Sequence, residues 1–266
     1  MSAAEASFRA GDLQRALEQL QAEVRQKPAD AKLRIFLAQL LMVVGQWDRA
    51  LNQLSVIADL DAGALPMVHS YRSAIQCELL RRGVFTAERS PLLFGDPEPW
   101  IALLMQALPH DAQGRKAEAA KLRAEAFEQA PASSGTLNGE AFEWVADADS
   151  RLGPMLEVLL NGAYYWVPIH RIQRLVIEAP ADARDLVWTP AQFTWVNGGE
   201  AMGYIPTRYP LSENSDDDAI RLARKTEWQE IADNSYSGLG QRVLTTDSAD
   251  HGILDVRELV IQAPAT

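Results

Sequence analysis

The sequence predicts an α+β protein, with paired-helix repeats in residues 1–130 and a mainly antiparallel β-sheet or small barrel, carrying one helix, in residues 131–266. Three observations predict this. A helical segment recurs at fixed spacing in the first half, and turn-forming Asn-Gly pairs separate β-rich runs in the second. The composition, 47% hydrophobic and 23% charged over 266 residues, belongs to a folded chain that can bury a sizeable core.

The repeat emerges when GDLQRALEQL (11–20) is set above GQWDRALNQL (45–54): Gly, Arg, Ala, Leu, Gln and Leu coincide at an offset of 34 residues. That period is the length of a tetratricopeptide unit, a helix–turn–helix. Gly11 and Gly45 fall in the turn between helices, where a side chain would obstruct the bend. Ala16 and Ala50 are small where two helix backbones approach, and Pro28 closes the first unit. The helix before the second turn, AKLRIFLAQLLMVV (31–44), is apolar on nearly all sides, which predicts packing between neighbours. GRKAEAAKLRAEAFEQAP (114–131) repeats the glycine-to-proline distance of 17, with Ala119 in the place of Ala16. Between these units lie a helix over 65–82, an irregular stretch RRGVFTAERSPLLFGDPEPW (81–100), and a helix to Leu108 with Asp96 as its N-cap and Pro97 at its first position. Residues 1–130 thus read as a tetratricopeptide-like domain with one degenerate unit.

PASSGTLNG (131–139) reads as a linker, and the pattern then changes. MLEVLL and AYYWVPI flank Asn161 and Gly162, the strongest short hairpin signal; FTWV and EAMGYI flank Asn197, Gly198 and Gly199 in the same way. QRVLTT and GILDVRELVI flank TDSADHG, a third turn. The polar stretch SENSDDDAIRLARKTEWQEI (212–231) predicts a helix interrupting the strands. Five of the seven tryptophans lie between Trp144 and Trp228, which predicts core packing for most and contact anchors for the rest.

Charge is unevenly placed. Residues 1–130 hold 15 Lys and Arg against 16 Asp and Glu, whereas residues 131–266 hold 10 against 20, so most of the net charge of −11 sits in the second half. An acidic surface repels nucleic-acid phosphates and anionic lipid headgroups, and it either keeps a protein in solution or meets a basic partner. No apolar run approaches the ~20 residues that span a bilayer, and MSAAEASFRAGD lacks the pattern of a signal peptide, so the expected compartment is the cytoplasm and no membrane insertion is expected.

Signatures of catalysis are sparse. No phosphate-binding loop or nucleophile elbow occurs, the four histidines lack zinc-ligand spacing, and the single Cys77 lies in a helical pattern beside no base. One stretch asks for an explanation: FEWVADADSRLGP (142–154). In an extended strand Asp147 and Asp149 share a face and could share a cation, with Glu143 as a third carboxylate in a metal-dependent hydrolase. Arg151 on the same face favours the alternative, a salt-bridged cluster that also draws on Arg221, Arg224 and Lys225. On that reading there is no catalytic residue, no metal and no cofactor.

WVADADSRLGP and NGAYYWVP, with RDLVWTPAQFTW (184–195), NGGEAMGYIPTRYP (197–210), RLARKTEW (221–228) and GLGQRVLTTD (238–247), resemble the ImpE/TagJ family of bacterial type VI secretion accessory proteins. VFTAERSPLLFGDPEPW in the first half fits as well, so the resemblance covers nearly the whole chain. It implies a non-enzymatic role: binding the small subunit of the contractile sheath through a helix near that subunit's N-terminus, and a link to the AAA+ ATPase that dismantles the contracted sheath. An apolar groove between repeats would suit such a helix. Ile35, Gln39 and Met42 share a face at helical spacing and are the candidate lining; the alternatives are that they are core, or that the second half builds the groove.

Overall fold

The computed structural model describes residues 2–262. The first half is helical: α1 (Ala3–Ala10), α2 (Leu13–Gln26), α3 (Ala31–Val43), α4 (Trp47–Leu60), α5 (Leu65–Phe85), α6 (Pro99–Ala112) and α7 (Lys116–Gln129). Successive helices pair as the 34-residue period requires. Gly11, Gly45 and Gly114 all turn with positive φ, at +89°, +70° and +73°, a conformation that costs a Cβ-bearing residue about 1–2 kcal/mol. Ala16, Ala50 and Ala119 are each 0% exposed at the helix crossings.

The second half is built from short strands. They are β2 (Gly135–Leu137), β3 (Glu140–Phe142), β4 (Val145–Asp147), β5 (Met155–Leu160), β6 (Ala163–Pro168), β7 (Ile172–Ile177), β8 (Trp188–Trp195), β9 (Glu200–Pro206), β10 (Thr226–Ala232), β11 (Ser235–Gly240), β12 (Val243–Thr246), β13 (Asp250–Gly252) and β14 (Glu258–Ile261); β1 (Leu92–Leu93) comes from the helical half. A nine-stranded sheet runs in the order β1-β6-β5-β9-β8-β7-β14-β2-β3, beside a three-stranded sheet β13-β12-β4 and the ribbon β10-β11. The pairings are antiparallel except β1 with β6, which is parallel. Both Asn-Gly hairpins form at the expected positions, as β5-β6 and β8-β9.

Several expectations need correction. The helix expected over 212–231 is only α8 (Asp218–Arg221), preceded by a 3₁₀ turn Ser212–Asn214. Left-handed residues at Leu211 and Ala223 interrupt the backbone, and TEWQEIA goes into the ribbon as β10 instead. The linker contains a strand, β2, and the irregular stretch before α6 contributes β1. The N-cap of α6 is Glu98, with Pro99 rather than Pro97 in the first turn; the Glu98 carboxylate accepts from Trp100 Nε1 at 2.8 Å and makes no capping bond. GILDVRELVI splits, because only its first residue, Gly252, pairs with β12 while Glu258–Ile261 joins the large sheet.

Alternation along the strands divides the hydrophobic residues between two cores. Met155, Leu159, Tyr164, Trp166 and Trp188 pack with the helices on one face of the large sheet; Leu156, Val158, Leu160, Val167 and Phe193 pack with Leu244 and Ile253 on the other. Trp166 and Trp188 are each 0% exposed, and burying ~150–250 Å² apiece stabilises by roughly 4–6 kcal/mol each before entropy. Helices and one face of the large sheet thus share the first of these cores.

That sharing fills the cleft tetratricopeptide units ordinarily leave open. The segment 183–188 lies on α3, with Ala183, Val187 and Trp188 in the common core, and Trp188 stacks on Trp47 at 6.0 Å between ring centroids. Polar contacts seal it: Arg208 Nη1 donates to the Val43 carbonyl at 2.7 Å, the Leu13 amide donates to the Asp218 carboxylate at 2.9 Å, and Arg224 donates to the Arg9 carbonyl at 3.0 Å.

Candidate functional site

The stretch 142–154 is extended only as far as the end of β4 at Asp147. From there it folds on itself. The Asp149 amide donates to Asp147 Oδ1 at 2.9 Å, and the Arg151 amide donates to Asp149 Oδ1 at 2.9 Å. These are Asx turns, in which a short carboxylate replaces a backbone acceptor. Gly153, with φ +53°, brings the chain back so that the Asp147 amide donates to its carbonyl at 2.7 Å. Asp149 is then closed off by Arg151, whose Nε donates at 2.8 Å, and by the Gly238 amide at 3.0 Å.

Behind the turn lies a chain of buried ion pairs. Arg242 donates through Nη1 to Asp147 and through Nη2 to Glu157 on β5. Glu157 also accepts from Arg81 of α5, from Nε at 2.7 Å and Nη2 at 2.9 Å, and from the Tyr164 hydroxyl. The Tyr209 hydroxyl donates to Asp147 Oδ1 at 2.9 Å. Glu157, Asp149 and Arg242 are 0% exposed. Burial would raise the Glu157 pKa, but the Arg81 and Arg242 guanidiniums outweigh it and hold it down to about 2. Burial pushes Asp147 up to about 6 against the pull of its one arginine. Buried carboxylates satisfied in this way hold structure in place; stripping them of their arginines to take a cation would cost several kcal/mol.

The metal cluster of the alternative hydrolase reading is therefore not assembled. Both oxygens of Asp147 and of Asp149 already accept hydrogen bonds, and Glu143 is exposed, its amide donating to Asp247. Among the described residues no three His, Cys, Asp or Glu side chains are grouped to hold a metal. Arg151 neutralises Asp149 as the spacing suggests. The other expected cations are engaged elsewhere: Arg221 with Asp218, Arg224 with backbone carbonyls of Phe8 and Arg9, Lys225 with Asp217 and Glu227. Arg242, which sequence reasoning missed, is the partner of Asp147. Its one signal was an arginine at the head of the β-rich run QRVLTT. Cys77 is buried, and burial pushes its thiol up to about 12, far from a reactive thiolate.

Ile35, Gln39 and Met42 do not line an open groove. Met42 is 0% exposed within the shared core, Gln39 donates to the Tyr71 hydroxyl at 3.2 Å, and Ile35 alone is half-buried. An open concavity lies instead against FEWVADADSRLGP. A groove of about 420 Å³ runs between the C-terminal end of α7 and β4 with its following turn, lined by Phe127, Trp144, Val145, Ala146, Gly153 and Pro154 among others. Phe127 and Trp144 are 39% and 42% exposed, large aromatics left in water on either wall. The Phe127 ring rests on Gly153, where an added Cβ would lie 2.3 Å from its Cε1. The buried carboxylates thus shape the turn, and the turn seats the aromatic wall.

Comparisons with known proteins match both halves of the chain. A family model for the ImpE protein matches residues 139–260, and one for the tetratricopeptide repeat matches residues 7–75. The type VI secretion system accessory component TagJ of Pseudomonas aeruginosa is 51% identical over 258 residues, covering 96% of this chain and 90% of that protein. A crystal structure of a Vibrio parahaemolyticus protein superposes with a TM-score of 0.89 at 28% identity, covering 98% of each chain.

Proposed function

The chain belongs to the ImpE/TagJ family of type VI secretion accessory proteins, and from that premise we propose that it is a non-enzymatic adaptor that binds the small subunit of the contractile sheath through a helix near that subunit's N-terminus. It thereby influences how the AAA+ ATPase recycles the sheath, and it acts in the cytoplasm. The observation that carries the reading is likeness over nearly the full length to a protein named as an accessory component of this secretion system. Three structural features support it. Asp147 and Asp149, the aspartates that looked most like a catalytic pair, are paired with arginines. An apolar groove with exposed aromatic walls stands open on the surface. No helix among the described residues is long and apolar enough to cross a membrane.

Calorimetric titration with a synthetic peptide covering the N-terminal helix of the small sheath subunit tests the proposal. The expected result is saturable one-to-one binding with Kd of about 1 μM or tighter, lost when the peptide's apolar face is replaced by serine. Absence of binding both to the peptide and to the intact subunit overturns it.

A further inference from the structure

Resting on the adaptor reading, we infer that the partner helix docks in the groove between Phe127 and Trp144, with two or three apolar side chains inserted and flanking Lys or Arg side chains meeting Glu128, Glu143 and Asp247. The cleft between the helical repeats is closed to a partner, because the segment 183–188 and Trp188 already occupy it. The Phe127–Trp144 groove is open, and its volume of about 420 Å³ lies within the ~300–1,000 Å³ range of sites that take side chains or small ligands. Trp and Phe on opposite walls are residue types that anchor interfaces.

Charge decides the partner's chemistry. Among the described residues the lining contains no Lys or Arg, and its one carboxylate, Asp147, is already paired with Arg242. Next to the aromatic walls in the chain, Glu128 follows Phe127, Glu143 precedes Trp144, and Asp247 accepts from the Glu143 amide at 2.8 Å; all three are exposed. Acidic side chains so close by favour an occupant with basic flanks and disfavour an acidic one. Backbone geometry decides its shape. β4 is an edge strand, but it is three residues long and its Asp147 amide already donates to Gly153, so it offers too little ladder for an added strand. A helix needs no ladder; it docks through side chains at i, i+3 and i+4.

The experiment titrates the same sheath-subunit peptide into the full chain and five variants: Phe127→Ser, Trp144→Ser, the double charge reversal Glu143→Lys with Asp247→Lys, Ile35→Ser on the repeat face, and Leu79→Ser as an exposed apolar control on α5 (52% exposed). Thermal melts check that each variant is folded. Each aromatic substitution should weaken binding about 30-fold or more. The charge reversal should weaken it roughly 10-fold and flatten its salt dependence. Leu79→Ser should leave it unchanged. Wild-type binding that survives all three groove variants, or that is lost only with Ile35→Ser, overturns the groove while leaving the adaptor role standing. No binding by the wild-type chain overturns both.

Discussion

Arg242 stands just before β12, yet it sets the state of two carboxylates, Asp147 from β4 and Glu157 from β5. The two carboxylates respond oppositely to pH because one faces a single guanidinium and the other faces two. Glu157, held down to about 2 from 4.5, contributes stability that is present above pH 4.5 and lost as pH falls toward 2. Asp147 is raised from 3.8 to about 6, so its contribution is full below pH 3.8 and is lost as pH rises through 6. Between pH 4.5 and 7 the Asp147 effect stands alone of the two. Urea unfolding of wild type and Asp147→Asn across that window should show the wild type losing roughly 2 kcal/mol relative to the variant. Parallel pH profiles would mean that Asp147 titrates like an ordinary aspartate. None of this was legible from FEWVADADSRLGP alone, where Arg151 is the only cation in view; it pairs with Asp149, as its spacing suggests.

Helices and hairpins were the most legible elements, and the reason is local. Gly11, Gly45 and Gly114 announce turns because backbone sterics act within a few residues, and Asn161 with Gly162 announces a hairpin for the same reason. Gly45 carries a second, non-local constraint: an added Cβ there would meet Glu213 Cγ at 2.6 Å, whereas at Gly114 it would meet nothing within 4 Å. Alanine at Gly114 should therefore cost only the left-handed strain, about 1 kcal/mol, and alanine at Gly45 distinctly more, about 2 kcal/mol, in chemical denaturation. Equal losses would show that Glu213 moves aside freely. The stretch 212–231 misled because its polar, charge-rich composition suits a solvated helix. TEWQEIA pairs with β11 from Thr226 to Ala232, with one irregularity between Glu230 and Ala232, and pairing across strands outweighs a weak helical preference.

At the scale of the molecule, the change from helices to strands between Gln129 and Gly135 does not separate two cores. Leu152, Met155, Trp166, Trp188 and Leu222 from the second half lie in the core of the helical repeats, and Arg81 of α5 is buried against Glu157 of β5. Repeat units that each leave an apolar face uncovered need a neighbour, and here the sheet is that neighbour. The full chain should unfold in one calorimetric transition, and a fragment of residues 1–130 should show no cooperative melt of its own. Two resolved transitions, or a fragment that melts sharply, would establish independent domains.

By itself the sequence determined the α+β class, the repeat period, both Asn-Gly hairpins and the resemblance that the family comparison bears out. Each is written in short-range sterics, in periodic burial or in long shared motifs. The tertiary structure alone decided which arginine neutralises Asp147, that the repeat cleft is filled from within, and that the open groove lies against β4. Arginines are chemically equivalent along the chain. Asp147 and Arg242 are 95 residues apart, Arg81 and Glu157 are 76, and only the folded path of the backbone selects one guanidinium over another.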